Sequence, residues 1–371
     1  MTRTLPVLAL MALALPAVAA KEVWTTSRRI DTDVFVDGKT LVVKPGVRLT
    51  FGPKGTLRVR DAGLRAEGAE FVGEGVLTNA FRVRVENGGI DLVGCRVRTM
   101  RSKDPVKGYG YYTGAFYSQF GNGARIKDCV FIDSSAVAYL NARKVRVENN
   151  VFLRPDTGVY LFNVTECLVT GNGFFDAPQQ ALLLNGAKLS EVAGNRFTDC
   201  ALALSLHGSS RCRIVGNSFF GGRMGIRLRW DGAGNVFSAN LFEDVRGPAV
   251  SSIEPFGSRA IYSNNVFSRC ATGLDISSLP KDGGMSVRDN AFADCGTGIL
   301  LNGGGTLAAP NNAIWRTKRP LEARKGAKLT APSLVTCDPR FRDAPCGDYR
   351  LAGGSPLAGA GATGGNIGLF Q

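Results

Sequence analysis

The sequence predicts an all-β solenoid, in which short parallel strands stack in successive coils. The first observation is a tripeptide, Asn-X-Phe, that returns at intervals of 22 to 25 residues. A period of about 20 to 50 residues is typical of repeat proteins, in which each unit buries its apolar face against its neighbours. The second observation is that the apolar runs between the tripeptides are short and separated by Gly, Pro, Asn and Asp, which favours strands over helices. The copies begin at Asn150, Asn172, Asn195, Asn217, Asn240, Asn265 and Asn290, and a degenerate copy begins at Asn312.

Each part of the repeat has an expected structural role. Stacked Asn side chains can hydrogen-bond along a ladder, which satisfies amides that would be costly to bury alone. The Phe two residues later should point inward and stack on the Phe of the next coil, and each ring buries roughly 150–250 Å². A Gly eight residues after the Asn is assigned to a turn that needs a residue without Cβ. This Gly is present at Gly158, Gly225, Gly273 and Gly298.

The Asn-X-Phe ladder, followed by a strand such as Gly-Ile-Arg-Leu at 225–228, resembles the right-handed parallel β-helix proteins. That superfold includes pectate lyases and related polysaccharide-active proteins. The resemblance covers roughly residues 34–335. It implies a single-stranded right-handed parallel β-helix solenoid with capped ends. Residues 21–335 would form the helix with its N-terminal cap, and 336–371 a C-terminal capping segment.

Residues 1–20 have the pattern of an export signal. Arg3 supplies a positive start, residues 8–15 are apolar, and 17–20 offer small residues for cleavage. The apolar run is too short to span a bilayer, and no later run approaches the roughly 20 apolar residues that a span needs. We therefore expect an exported protein, periplasmic or extracellular, with no membrane span. A retained N-terminal anchor is the alternative.

The charge of the chain predicts an anionic partner. Removing Arg3 with the signal leaves 44 basic and 31 acidic residues, a net charge of +13. Such a balance favours an acidic polysaccharide or an anionic cell-surface glycan. Nucleic acid is not expected, because no recognition motif is present. The basic residues are scattered, which also fits an ordinary soluble surface, and we expect a monomer.

Nine cysteines are distributed unevenly. Cys337 and Cys346 lie outside the repeats and close in sequence, so they are the best disulfide candidates in an exported protein. Cys270 and Cys295 occupy equivalent positions in adjacent coils, which suits a buried thiol stack better than a bond. No pair has the CxxC spacing of a metal site, and the chain has a single His. No metal site is therefore expected.

One coil carries an excursion. The interval from Cys95 to Cys129 is 34 residues, about a dozen more than one period, and it includes Tyr111 and Tyr112. Long excursions from a rigid solenoid commonly carry binding surface, and tyrosine rings stack on sugar faces. The alternative is a loop that packs its aromatic residues onto its own coils.

The residues ten and twelve positions after each coil's Asn should face outward and form one surface strip. Aromatic and amide side chains lie toward its N-terminal end, and charged side chains follow. Trp230 and Glu254 would stand on its rim. The candidates on the strip are Tyr139, Asn141, Tyr160, His207, Arg227, Arg229 and Asp275.

These residues suggest a groove that binds an acidic polysaccharide and cleaves it by β-elimination. Arg227 and Arg229 would neutralise a uronate carboxylate, so that the neighbouring C–H becomes acidic enough for a base to take its proton. His207 would carry that proton, and Asp275 is the fourth catalytic candidate. The alternative is that these are ordinary solvated residues of a non-catalytic surface, matrix or adhesive solenoid.

The chain lacks the catalytic patterns that the resemblance would imply. Calcium-dependent lyases of this fold gather three or four carboxylates, whereas this strip holds Asp275 with Asp231 and Glu254 nearby. We therefore expect no cofactor, and Ca²⁺ is the only candidate. The paired Asp and Gly-His-Gly turn of polygalacturonases and the Asp-Pro-His-Asp motif of alginate epimerases are also absent.

Overall fold

The chain winds into stacked coils, and each coil contributes one short strand to each of three parallel sheets. The structure, a computed structural model, describes residues 20–76, 81–101, 114–230, 232–253, 259–277, 279 and 284–369. The expected export signal, apart from Ala20, lies outside the described residues. At the start of the range expected to form the helix with its N-terminal cap, Ala20–Trp24, Arg28–Ile30 and Asp33–Asp37 are the first strands of the three sheets. No helix in the described ranges has the length and apolar character to cross a membrane.

The first sheet has twelve strands. They are Ala20–Trp24, Lys39–Val43, Leu64–Glu67, Ile90–Val93, Arg125–Lys127, Arg146–Glu148, Leu168–Thr170, Glu191–Ala193, Arg213–Val215, Val236–Ser238, Ile261–Ser263 and Ser286–Arg288. The second sheet has thirteen strands. They are Arg28–Ile30, Arg48–Phe51, Glu70–Gly73, Arg96–Arg98, Val130–Ile132, Val151–Leu153, Gly173–Phe175, Arg196–Thr198, Ser218–Phe220, Leu241–Glu243, Val266–Ser268, Ala291–Ala293 and Ala313–Trp315.

The third sheet also has thirteen strands, and most of them are longer than their neighbours in the second sheet. They are Asp33–Asp37, Thr56–Arg60, Phe81–Glu86, Gly114–Gln119, Ala136–Leu140, Thr157–Phe162, Gln180–Asn185, Leu202–His207, Met224–Arg229, Pro248–Ile253, Thr272–Ile276, Thr297–Leu301 and Arg319–Ala323. Thr306–Ala308 and Lys328–Thr330 form a small parallel pair. Phe341–Asp343 and Asp348–Leu351 form an antiparallel hairpin closed by the 3₁₀ turn Ala344–Cys346.

The Asn ladder is present at the turn between the first and second sheets. Asn195, for example, donates its backbone N–H and its Nδ2 to Oδ1 of Asn217, both at 2.9 Å. The same Nδ2 also donates to the carbonyl of Val169 in the coil before. The ladder side chains are almost fully buried. Because each amide links three coils, the ladder fixes how the coils stack along the axis.

The phenylalanines form a continuous column inside the solenoid, as the repeat predicts. Their ring centroids lie 4.5–4.9 Å apart and adjacent planes differ by 4–11°. This spacing matches the distance between neighbouring strands, so each ring stacks on the one in the next coil. The column consists of Phe131, Phe152, Phe174, Phe197, Phe219, Phe242, Phe267 and Phe292.

The repeated glycines have a different role from the predicted turn. Gly158, Gly225 and Gly273 lie within strands of the third sheet. A Cβ on Gly225 would stand 2.9 Å from the Phe242 ring and 2.5 Å from the carbonyl oxygen of Ala249. Glycine is therefore required because the ring column and the next strand approach closely, not because the backbone turns.

The C-terminal segment, expected as a cap, packs along the side of the solenoid. Its buried apolar residues pack on outward-facing positions of the second sheet in four successive coils. Tyr349 Oη donates to Ser268 Oγ, and Asn264 Nδ2 donates to the carbonyl of Asn366. The sheet residues that it covers are Leu241, Val266, Ala291 and Ala313. Such a row of apolar residues would otherwise face solvent, which explains why the segment returns there.

All nine cysteines are free thiols. The proposed bridge between Cys337 and Cys346 is absent, because Cys346 lies in the turn that closes the hairpin and Cys337 precedes the hairpin's open end. The three-residue strand Phe341–Asp343 lies between the two thiols along the chain. Cys270 and Cys295 are buried free thiols in adjacent coils, and their Sγ atoms donate to the carbonyls of Phe242 and Phe267 in the coil before each.

The ladder predicts a large loss of stability when one rung is removed. Asn217→Ala would remove the side-chain partner of the backbone N–H of Asn195 and of the carbonyl of Val192. Nδ2 of Asn195 would lose its bond to Asn217 and keep those to the carbonyls of Val169 and Ala193. We expect the free energy of unfolding to fall by about 3 kcal/mol, since each buried polar group left unsatisfied costs about 1–3 kcal/mol. Urea denaturation followed by circular dichroism measures it. Asn122→Ala, at an exposed Asn outside the ladder, is the control and should change stability by less than about 1 kcal/mol. Equal losses in both variants would contradict the ladder's role.

Candidate functional site

Two neighbouring strands in the middle of the third sheet bring four polar side chains together. The register places Ser205 opposite Arg227 and His207 opposite Arg229. Residues two apart on a strand face the same side, and neighbouring strands lie about 4.8 Å apart. The four residues therefore form a compact cluster on the outer face of the sheet, and we call it the His207 cluster.

The two arginines of the His207 cluster have no counter-charge among the described residues. Among the described residues, no carboxylate lies within ion-pair distance of Arg227 or Arg229. Nε of Arg227 is buried and has no hydrogen-bond partner there. Burial, and then the charge of Arg229, lower the pKa of Arg227. Two adjacent cations that are partly withdrawn from water can bind an anion.

His207 is neutral in this setting. Burial, and then the charges of Arg227 and Arg229, lower its pKa to about 4. Its Nε2 lies 2.9 Å from the hydroxyl oxygen of Ser205. The imidazole is therefore uncharged at neutral pH, with one ring nitrogen held by Ser205. Sequence reasoning missed Ser205 as a member of the site, and its signal was its position two residues before the only His, on the same face.

Trp230 follows the strand directly and projects into solvent. Its side chain is 49% exposed, its ring meets His207 edge-on with centroids 6.2 Å apart, and Arg229 lies over it at 5.0 Å. Its φ of 48° is in the left-handed region. A bulky residue there is an outlier that costs about 1–2 kcal/mol. The equivalent turn positions of other coils carry Asn141, Asn163, Gly186 and Gly208, which tolerate this conformation.

A groove adjoins Arg227 at the edge of the third sheet where the strands begin, next to the turns that come from the second sheet. Its volume is about 450 Å³. It runs across three coils, from Gln180 through Leu202 to Met224, and Arg223 stands beside it. An extended ligand that contacts Arg227 therefore has space along the sheet edge.

Asp275 does not join the His207 cluster. It lies in the same outward column as Arg227, but the Ser251 strand separates the two. Two strand spacings place it about 10 Å from the Arg227 position. Asn302 Nδ2 donates to its Oδ1 at 3.0 Å, and burial raises its pKa. It is too remote to act on the same atoms as His207.

Tyr139 and Asn141 do not lie on the strip where counting from the Asn placed them. Tyr139 is fully buried inside the solenoid, and its hydroxyl donates to the carbonyl of Ile90. Asn141 lies in the turn after the strand. The pairing aligns Ala138, not Tyr139, with Tyr160. This coil has one residue fewer before the strand, and a shift of one residue moves every side chain to the opposite face.

Tyr160 faces outward as predicted, yet it is only 2% exposed. It belongs to an outer apolar cluster with Phe81, Tyr117 and Leu183, on the N-terminal side of the His207 cluster. Its ring is not open for stacking on a sugar.

Several candidates lie outside the described residues: Tyr111, Tyr112, Asp231 and Glu254. In the ranges that the structure describes, no group of three or more His, Cys, Asp or Glu side chains could hold a metal ion. Asp275 is the only carboxylate of the strip within those ranges, and its amide partner is not a ligand set for Ca²⁺.

Comparison with known proteins identifies the architecture. A family profile described as a right handed beta helix region matches residues 78–219 and 135–278, more than half of the chain. The periplasmic alginate epimerase AlgG is similar in structure, with a TM-score of 0.53, 12% identity and coverage of 81% of this chain and 77% of its own. The PL6 family alginate lyase AlyGC is also similar in structure, with a TM-score of 0.56 and 13% identity, and the match covers 85% of this chain and 50% of AlyGC. This chain thus spans half the length of AlyGC. No curated protein matches the sequence.

Because the chain has a single His, the protonation of His207 can be measured directly. In the NMR spectrum of the folded protein we expect one imidazole that titrates near pH 4. Arg227→Gln should raise this pKa toward 6.5, because it removes a neighbouring positive charge. Since the folded-state pKa lies below the unfolded one, the His207 contribution to stability should fall as pH drops from 6.5 to 4. Arg146→Gln, on the first sheet, is the control and should leave the pKa unchanged. A wild-type titration near 6.5 would contradict the described environment.

Proposed function

The chain belongs to the right-handed β-helix family, and we propose that it binds a uronate-containing polysaccharide at the His207 cluster and cleaves it by β-elimination. The observation that carries the proposal is the pairing of two arginines that lack described counter-charges with a neutral His on one sheet face. The similar structures are named as alginate epimerase and alginate lyase. At 12–13% identity that likeness concerns the fold, so the proposal depends on the side chains.

Binding begins with the carboxylate of a uronate. Arg227, with its unsatisfied Nε, and Arg229 provide donors in the planar geometry that carboxylates prefer. The sugar ring packs on the exposed face of Trp230, which stands beside Arg229. The neighbouring sugar units lie along the groove that contains Gln180 and Arg223.

Elimination requires removal of the proton from the carbon next to the carboxylate. Neutral His207 takes this proton through its Nδ1, while Nε2–H donates to Ser205 and fixes the tautomer. The electron pair forms a double bond to the adjacent carbon, and the bond from that carbon to the glycosidic oxygen breaks. The departing oxygen takes a proton from water. Arg227 and Arg229 stabilise the charge that develops on the carboxylate.

Substrate binding improves the base. The charges of Arg227 and Arg229 are among the causes that lower the pKa of His207. A bound carboxylate offsets those charges, so the pKa of His207 rises toward neutrality, where a base removes protons most effectively. The bound uronate therefore raises the basicity of His207, the group that removes its proton.

A second candidate function is binding without cleavage. Its support is the low pKa of His207 in the free protein, which makes the imidazole a weak base. Asp275 lies two strands away from Arg227, so His207 is the one described proton carrier at the cluster. In this case the chain is an adhesive or matrix solenoid for an acidic glycan. Both functions fit export to the periplasm or the cell exterior and a monomeric protein.

A panel of polyuronates tests cleavage. Incubation of the mature protein with polygalacturonate, alginate and heparin-type glycans, with and without Ca²⁺, should release unsaturated ends that absorb in the ultraviolet. His207→Asn should lower the rate at least 100-fold and keep binding within about threefold, because the carboxylate donors remain. A flat absorbance trace for the wild type on every polymer, despite binding, would leave the non-catalytic function. Absence of binding to any of them would overturn both.

Trp230→Asn separates a binding role from a folding role. Asn occupies the equivalent left-handed turn positions at 141 and 163, so we expect the free energy of unfolding to stay equal or rise by about 1 kcal/mol. Loss of the aromatic face should weaken polyuronate binding about tenfold. Calorimetric titration and urea denaturation of the same variant measure both. Unchanged affinity would show that Trp230 does not contact the glycan.

A further inference from the structure

A second basic surface lies on the same edge of the solenoid, farther toward the C-terminus. It is a notch of about 570 Å³ in the turns between the second and third sheets, and it spans four coils. Arg246 borders it on one side and Lys318 on the other, and its floor contains Ala271 and Gly296. None of these residues belongs to the His207 cluster.

The notch exists because its column of turn residues changes size. Arg223, Arg246, Ala271, Gly296 and Lys318 each lie six positions after their coil's Asn. Backbone hydrogen bonds connect the successive turns, for example from the N–H of Gly296 to the carbonyl of Cys270. Two small residues between long basic ones leave a depression. A Cβ on Gly296 would lie 2.5 Å from the carbonyl oxygen of Ala271, so glycine keeps the floor low.

The charges around the notch divide into paired and unpaired groups. Arg269 pairs with Asp244, and Arg316 pairs with Asp294. Among the described residues, no carboxylate forms an ion pair with Arg246 or Lys318. Within the part of the chain that the structure describes, Arg246 and Lys318 at the rims of the notch are therefore without an ion-pair partner, while the charges of Arg269 and Arg316 inside it are neutralised. Such a distribution favours anions spaced along a polymer over one small ion in the centre.

The axial spacing connects the notch to the His207 cluster. Arg223 lines the groove beside Arg227, and Arg246 is the equivalent residue one coil farther. Lys318 lies three coils beyond Arg246, or about 14 Å at the spacing of parallel strands. From the coil of Arg227 to that of Lys318 the distance is about 19 Å. Arg223, Arg246 and Lys318 thus lie in one column parallel to the solenoid axis, and Arg227 lies four residues along the chain from that column.

We propose that the notch between Arg246 and Lys318 is a distal subsite that binds the acidic units of the same polysaccharide several residues away from the His207 cluster. The inference rests on the proposed function for its substrate class. A carboxylate contacts Arg246 or Lys318, and the apolar face of a sugar ring packs on Ala271 and Gly296. The polymer then lies along the axis and not across the sheet.

Chain-length dependence tests the distal subsite. Calorimetric titration of the His207→Asn protein uses oligogalacturonates and oligomannuronates of two to ten units, which remain uncleaved. The affinity should rise steeply once the oligomer reaches across about 19 Å. The double variant Arg246→Gln/Lys318→Gln should weaken binding of the long oligomers about tenfold and leave dimers and trimers unchanged. It should also reduce the salt dependence of long-oligomer binding.

A matched control removes two charges elsewhere. Arg125→Gln/Arg146→Gln lies on exposed, unpaired positions of the first sheet and should leave every affinity unchanged. Equal weakening by both double variants would overturn the subsite, because only overall charge would then matter. No effect of the notch variant, while Arg227→Gln abolishes binding, would overturn the subsite and keep the proposed function. Loss of long-oligomer binding in the notch variant alone, with Arg227→Gln silent, would support the notch as a glycan site and refute the His207 cluster.

Discussion

The buried asparagine column determines where every other side chain of this solenoid lies. An Asn inside the ladder such as Asn195 accepts from the backbone and side chain of Asn172 in the coil before it. It donates to Val169 in the coil before and to Asn217 in the coil after. A slip along the axis would leave several of these buried groups unsatisfied in each coil. The axial positions of the coils are consequently fixed. That is the condition for Ser205 and His207 to face Arg227 and Arg229 across one strand spacing.

Counting residues from the ladder Asn predicts which side chains of the third sheet face outward only where the turns between ladder and strand have the same length. The counts from Asn195 and Asn217 to the outward positions are both ten, so the sequence correctly placed His207 beside Arg229. The coil that precedes Asn150 has one residue fewer, and counting placed Tyr139 outside although it is buried. The period reveals the repeat, whereas the length of each irregular turn determines which face a residue occupies. Turn lengths vary by single residues, and the period does not encode them.

Other features escaped prediction because they depend on surfaces that only the folded chain has. The outward-facing Leu241 and Val266 look like ordinary strand residues, and their burial by the C-terminal hairpin requires a contact between distant parts of the chain. Tyr160 faces outward in the predicted column, but an apolar cluster on the same face buries it. The repeated glycines were identified correctly, but the close approach of a phenylalanine ring explains them better than a turn. In each case the sequence shows the residue and its period, but not which residue it contacts in the folded chain.

The same outward columns show why the arginines at the His207 cluster are distinctive. In the first coils Arg58, Arg60 and Arg84 occupy those columns, and each pairs with a carboxylate: Asp33, Asp37 or Glu86. The fold can therefore supply counter-charges on this face, and at Arg227 and Arg229 the described residues do not. The resulting repulsion opposes folding, and after burial the charges of the two arginines are the next cause of the lowered pKa of His207. An anion that binds there removes the repulsion, so it stabilises the folded chain as it binds. An anion bound by both arginines would offset this repulsion without movement of the backbone, because the ladder holds the sheet in place, and this is what the proposed preformed site requires.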